Sequence, residues 1–484
     1  MQHFAHTPHS TPQSGDTLAA LWGRAAELAT RFRAGIADRP QRPLSTYHEM
    51  RAVFAAPTPE QGAPQLQVIE ELARLAEPGL HTMAGPRFYG WVIGSSHPAG
   101  VAADWLTSAW GQNCGNHLAT PAAAAVEEVA ARWLLDLLRL PADCSVGFVT
   151  GATLANFVCL AAARGEVLRR AGWDVEANGL FGAPPVRVLI GDDAHTSVFS
   201  ALQFLGLGHD RVIRIATDRN GRILPDAFRA AVAAGSGPLI AIAQAGQLNT
   251  GAIDPVAEMA PLVREAGGWL HVDAAFALWA RACPETAARG AGLELADSWA
   301  TDGHKWLQTP YDCGYAITRH PEAHRRAMTI AASYLPAAEA GDRDPSHYVP
   351  ELSRRARGFA TWAIIKALGR AGIAEMVGRH CRIARAMAER LGAAPGITIL
   401  NDVTLNQVIL RFGAERGDEA SDALTRKVIE RFVQEGVLFA GGARWRGRWV
   451  LRLSVISGPM TEEDGERATA AILKAWDEVR GANA

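Results

Sequence analysis

Apolar residues between Asp16 and about Ala76 recur at helical intervals, Leu18, Leu21 and Leu28 in one run and Val68, Leu72 and Leu75 in another. A proline-containing stretch from Arg39 to Leu44 separates them, and the spacing predicts a helical N-terminal segment. The polar residues ahead of it, MQHFAHTPHSTPQSG, read as a mobile tail without the pattern of a signal peptide. From about Gly85 short β-rich runs alternate with longer helical patterns: VGFVT then ATLANFVCLAAARGEVLRRAG, RVLIGDD then TSVFSALQFLGLG, LIAIAQA then PVAEMAPLVREAGG. WLHVDAA is the next strand. This alternation predicts an α/β unit whose mixed, mostly parallel sheet is covered on both faces, with ligands at the C-terminal ends of strands.

After Trp362 a long helical pattern leads to the strand patterns TLNQVILRF and WVLRLSVIS and to a final helix, TEEDGERATAAILKAWDEVR. Thr461 is placed to cap that helix, with Asp464 where a capping box has its acid. The expected organisation is a tail and helical segment over 1–84, a large domain over 85–370 and a smaller α+β domain over 371–484.

Composition narrows the partners. A formal charge of −2 and a pI near 6.7 create no field that would attract nucleic acid or an anionic membrane, so a small molecule is the expected partner. No apolar run reaches the length of about 18 residues that a spanning helix needs. The six cysteines, at 114, 144, 159, 283, 313 and 381, form neither CxxC pairs nor metal-ligand spacings. Neither a disulfide framework nor a zinc site is expected, and a reducing cytoplasm fits.

Polar residues collect at strand ends. Lys305 in T-D-G-H-K-W lies between apolar segments; a lone lysine is ordinarily a solvated charge, but an enclosed one can lose its proton and bond an aldehyde. Asp273 ends the apolar strand HVDAA, where it can cap a helix or hold a heteroaromatic nitrogen protonated. His195 in D-D-A-H-T-S can cap the following helix, stack on a ring or carry protons. T-G-A-T at 150–153 offers small residues and free N–H groups at a helix start, a solution for a phosphate.

In this order the motifs T-G-A-T, D-x-A-H-x-S, H-V-D-A-A and H-K-W resemble those of the group II pyridoxal 5′-phosphate (PLP) decarboxylases, the family of aromatic-amino-acid, glutamate, histidine and diaminobutyrate decarboxylases. GPRFYGWVIGSSHPAG, from Gly85, is similar to the family's N-terminal motif. The resemblance implies a PLP fold-type I enzyme, similar to aspartate aminotransferase, acting as a homodimer with active sites at the subunit interface. It also implies that Lys305 carries PLP as a Schiff base, that Asp273 pairs with the pyridine nitrogen, that His195 stacks on the ring and that Ala275 lies against it. Gly151, Ala152 and Thr153 fall at the phosphate loop, and Ser298 and His304 at further phosphate contacts. The implied reaction is decarboxylation of an L-amino acid. Aldehyde synthesis, transamination and carbon–carbon lysis need the same lysine and aspartate, and a silent ligand-binding protein is the non-catalytic alternative.

The chain departs from the family in places. A-G-Q-L-N-T from Ala245 replaces a common G-T-T, which leaves Gln247 or Asn249 to supply the hydrogen bonds there. Asp302 stands in a motif that is commonly N-P-H-K and is an added acid. Counting back from Arg354 and Arg355 puts Pro345 where the decarboxylases have a proton-donating loop tyrosine, and Tyr348, three residues on, is the candidate substitute. Arg355 matches a family arginine beside the site, and Phe88, Tyr89, Trp91 and Trp110 fall in a segment that shapes the substrate pocket.

Overall fold

Each strand of the larger sheet is a short, mostly apolar run. They are β1 (Ser145–Val149), β2 (Arg187–Gly191), β3 (Ile213–Ile215), β4 (Leu239–Gln244), β5 (Trp269–Asp273), β6 (Ser298–Asp302) and β7 (Gly314–Thr318), in the order 1-7-6-5-4-2-3. The computed structural model describes residues 17–329 and 342–482. The tail expected at the N-terminus lies outside the described residues.

Strands β6, β5, β4, β2 and β3 run parallel, and β7 is antiparallel to both of its neighbours, β1 and β6. Burial on both faces explains why the strand sequences are continuous rather than alternating apolar runs. Along β4, Leu239, Ala241 and Ala243 enter the core on one face while Ile240 and Ile242 enter that on the other. The helices Ala152–Arg170 and Thr196–Phe204 cover the second face, and Val256–Glu265 the first.

The smaller sheet is antiparallel, β8 (Ile397–Ile399), β9 (Gln407–Phe412), β10 (Gly441–Trp445) and β11 (Arg448–Ser454), in the order 10-11-9-8. It packs on the helices Asp418–Glu435 and Glu462–Gly481 around Leu410, Phe432 and Trp476. Thr461 and Asp464 form the expected capping box. A 35-residue helix, Gly358–Gly392, joins the two sheets and is interrupted at Gly369, whose φ of 62° and ψ of 179° are not helical.

The N-terminal helices Leu18–Ala34, Tyr47–Phe54 and Gln65–Ala76 lead into an extended segment that stitches the two halves together. Tyr89 N–H donates to Phe439 O at 2.7 Å, and Ser454 N–H donates to Tyr89 O at 3.0 Å. No helix among the described residues is long and apolar enough to cross a membrane. All six cysteines are buried and unpaired.

Candidate active site

The C-terminal ends of β4, β5 and β6 meet the loops after β1 and β2 around a cavity of about 340 Å3. His195, Asp273, Ala275, His304 and Lys305 line it, and so do Gly151, Ala152 and Thr153.

Asp273 ends β5 at 3% exposure, and its Oδ1 accepts no hydrogen bond. Burial holds its pKa above the ordinary aspartate range, against the pull of His195 and Lys305. A buried acceptor facing a cavity without a donor implies a ligand that brings one. Beneath it His271, pushed down to about 3 by burial, is neutral. Its Nε2 donates to Asn156 Oδ1 (2.8 Å), so its Nδ1 accepts from Ser298 Oγ (2.9 Å), which in turn accepts from Trp269 Nε1 (2.8 Å). This network turns the Asn156 amide N–H groups toward Ser197 and Asp273.

Lys305 sits on the turn Gly303–Leu307 that follows β6, 18% exposed at the side chain, with Nζ 3.0 Å from Asp302 Oδ2. Gln308, in the left-handed region at φ 65°, pins this turn. Its Nε2 donates to the carbonyls of Lys305 (2.8 Å), Trp306 (3.1 Å) and Ile456 (2.9 Å), while its Oε1 accepts from Ser95 N (2.7 Å) and Gly458 N (2.9 Å). Gly94 touches the same turn so closely that a Cβ there would lie 2.0 Å from Lys305 O.

His195 is both cap and wall. Its Nδ1 accepts from Ser197 N at the start of the helix Thr196–Phe204 (3.2 Å), which leaves the ring proton on Nε2. Burial lowers its pKa, so the imidazole is neutral near pH 7. His304 stacks on Tyr311 with centroids 4.3 Å apart, and burial lowers its pKa too.

At the other end of the cavity the helix Ala152–Arg170 begins. Ala155 N donates to Gly151 O (2.9 Å), and the N–H groups of Thr153 and Leu154, ahead of that first bond, are free for a ligand. A Cβ on Gly151 would crowd His304 and Asp302 at 3.0 and 3.2 Å, and one on Gly314 would lie 2.6 Å from Gly151 Cα. Gly314 is required by this close approach to backbone, and Gly151 leaves little room for more than a hydrogen.

Several expected residues are elsewhere. Ser298 opens β6, at the far end of the strand from Lys305, and its hydroxyl is committed to Trp269 and His271, so it cannot reach a phosphate in the cavity. Tyr348 does not line the cavity of its own chain. Its carbonyl accepts from His324 Nε2, and its ring lies against His324 (5.3 Å) and under the Arg343 guanidinium (4.6 Å) at the β1 edge. Arg355 pairs with Asp104 at 2.7 Å. Gln247 Oε1 accepts from Asn249 N and Thr250 N to close its own turn, and it is Leu248 that faces the cavity. Phe88 and Trp91 pack on Phe439, Tyr89 joins the smaller core and Trp110 meets Phe359, so none of the four lines the cavity.

Sequence reasoning missed Gln244, Leu248 and Phe276, which line the cavity, and Arg452, whose charge reaches His195 in its wall. This arginine lies on β11 at 8% exposure, and its guanidinium has no hydrogen bond or ion pair among the described residues. Burial pushes it down to about 10, and its charge acts on His195. The available signal was a cation flanked by two apolar residues, Leu451 and Leu453.

A sequence model described as the pyridoxal-dependent decarboxylase conserved domain matches residues 48–412. An aromatic-L-amino-acid decarboxylase of Bacillus atrophaeus is 26% identical, over 93% of this chain and 94% of its own length. A 4-hydroxyphenylacetaldehyde synthase of Rhodiola rosea is also 26% identical, over 90% of each chain. In three dimensions the chain has the fold of an Oryza sativa TDC determined with PLP and tryptamine: TM-score 0.89, 24% identity, covering 97% of this chain and 99% of the other.

Proposed function

The chain belongs to the pyridoxal-dependent decarboxylase family, as an amino-acid decarboxylase whose cofactor is pyridoxal 5′-phosphate, and on that premise we propose which residues do the work and on what substrate. Lys305 is the covalent anchor of the cofactor, and Asp273, His195 and Arg452 govern the reaction of an L-amino acid with an apolar, aromatic side chain.

The residues fit the group. The orphan Asp273 Oδ1 would accept a hydrogen bond from a pyridinium N–H, the N–H groups of Thr153 and Leu154 suit a phosphate, and Lys305 supplies the amine. The unpaired, buried Asp273 oxygen is the observation that carries the reading. When bound, the cofactor supplies an electron sink for the pair left at the α-carbon as CO2 departs.

The protein's part is electrostatic and positional. Asp273 keeps the ring nitrogen protonated, and the buried network beneath it holds Asn156 in place. His195, neutral and with its proton on Nε2, covers the site and moves a proton near the α-carbon. Arg452, a buried cation without a partner among the described residues, binds the substrate carboxylate, and Leu154, Leu248 and Phe276 give the cavity apolar walls that exclude water. We take the working unit to be a homodimer; exposed Leu18 and Trp22 on the helix Leu18–Ala34 and exposed Trp105 and Leu106 on the helix Pro98–Trp110 support an apolar contact between copies.

A second reading, decarboxylation coupled to oxidation by O2 to give an aldehyde, is favoured by one observation. The Tyr348 ring is held by His324 and Arg343 outside the cavity of its own chain, and among the described residues no tyrosine lines it. Incubation of cofactor-loaded protein with a panel of L-amino acids separates the two. Amine and CO2 without peroxide support the decarboxylase; aldehyde, ammonia and peroxide support the synthase.

A further inference from the structure

Asp302 joins the two groups that the cofactor needs, and the role assigned to it rests on the reading of Lys305 as the cofactor's anchor. The carboxylate is 3% exposed; its Oδ1 accepts from Ala152 N at 2.6 Å and lies 3.4 Å from His304 Nε2, while its Oδ2 faces Lys305 Nζ at 3.0 Å. An anion already sits at the start of the helix Ala152–Arg170, on the first of the amides that a phosphate would use.

The cavity lining carries more acid than base. Lys305 is the one lysine or arginine among the described residues lining the cavity, against the two carboxylates Asp273 and Asp302. Burial disfavours the charged forms of His195 and His304. A phosphate held at the start of this helix would share it with the Asp302 carboxylate, which already occupies the Ala152 amide.

We propose that Asp302 is a built-in anion that competes with the cofactor's phosphate for the Ala152 amide and opposes its charge, so that Asp302 sets how tightly the cofactor is held. The phosphate then contributes little to affinity in the unaltered protein, and the bond to Lys305 contributes most. Asp302 is a positioning residue in this scheme: it acts on the cofactor through the Ala152 amide. Asn in its place still accepts from Ala152 N or donates to a phosphate, without the charge.

The test is a cycle between the side chain and the ligand's phosphate. Cofactor-free protein and Asp302→Asn are titrated with PLP and with pyridoxal, which lacks the phosphate, following the absorbance of the lysine-bound form. The substitution should tighten PLP by about tenfold or more and change pyridoxal by less than about twofold. An equal gain for both ligands means that the carboxylate acts on Lys305 alone and overturns the proposal; no gain, or a loss, for PLP overturns it as well. A second measurement needs no variant: the unaltered protein should bind PLP at most about tenfold more tightly than pyridoxal, and a preference of about a thousandfold is incompatible with an opposing charge. If the unaltered protein forms no lysine-bound band, or Lys305→Ala keeps it, the anchor reading fails, and the role of Asp302 falls with it. The affinity outcomes are read only on protein that forms the band, so the two failures are distinguishable.

Discussion

The Nζ of Lys305 and the Oδ2 of Asp302 stand 3.0 Å apart, one on the turn after β6 and the other on that strand's last residue. Through Asp302 Oδ1 the same pair reaches Ala152, 150 residues earlier in the chain. One carboxylate thus fixes the amine relative to the helix start that faces it across the cavity, and the chemistry assigned to Lys305 depends on that geometry.

Asp273→Asn should leave the cofactor bound and lower kcat by about a hundredfold or more, about 3 kcal/mol of barrier. The amide no longer holds the ring nitrogen protonated, although its shape is preserved. Steady-state kinetics with the cofactor absorbance recorded in parallel checks both halves.

Arg452→Met separates binding from folding. Removing a buried cation that has no partner among the described residues should not lower the urea midpoint, because the cost of its desolvation disappears with it. KM for the amino acid should rise about tenfold or more, the loss of one charge-assisted contact. Urea unfolding and initial rates on the same preparation provide the comparison.

Gly94→Ala should destabilise the fold by about 2–3 kcal/mol, because its Cβ would meet Lys305 O at 2.0 Å and backbone must shift. The shift falls on the turn that carries Lys305, so the lysine-bound absorbance should weaken as the melting temperature drops.

Stability should fall on mild acidification. Burial holds His271, His324 and His380 at about 3, below the ordinary 6.5, so between those values the unfolded chain binds protons that the folded one does not. Their contribution is fully present above about pH 6.5 and is lost as pH falls toward 3. Asp254, raised by burial to about 7, works in the opposite direction and offsets one histidine. His81, held at about 4 by burial, adds to the three, so a net uptake of about three protons on unfolding corresponds to roughly 4 kcal/mol per pH unit between about pH 6 and 5. Urea midpoints across that interval measure it.

The fold was legible where period and burial coincide. VGFVT, RVLIGDD, LIAIAQA and WLHVDAA became β1, β2, β4 and β5, and the acids and histidines at their ends became the cavity wall. Lys305 and Asp273 were legible because one follows a strand and the other ends one. Ser298 was misplaced because strand direction decides which end of β6 reaches the cavity, and a motif does not carry that direction. The approach of Arg452 to His195 was invisible because the arginine lies 147 residues beyond Lys305, on the other sheet, and only tertiary packing brings its charge near. The reversed direction of β7, between β6 and β1, likewise has no local signature.

The most direct test of Lys305 as the cofactor's anchor is chemical trapping. Borohydride reduction of the cofactor-loaded protein, followed by proteolysis and mass spectrometry, should put a phosphopyridoxyl group on the peptide containing Lys305 and on no other lysine. A label on a different lysine, or its persistence on Lys305→Ala, would contradict the account.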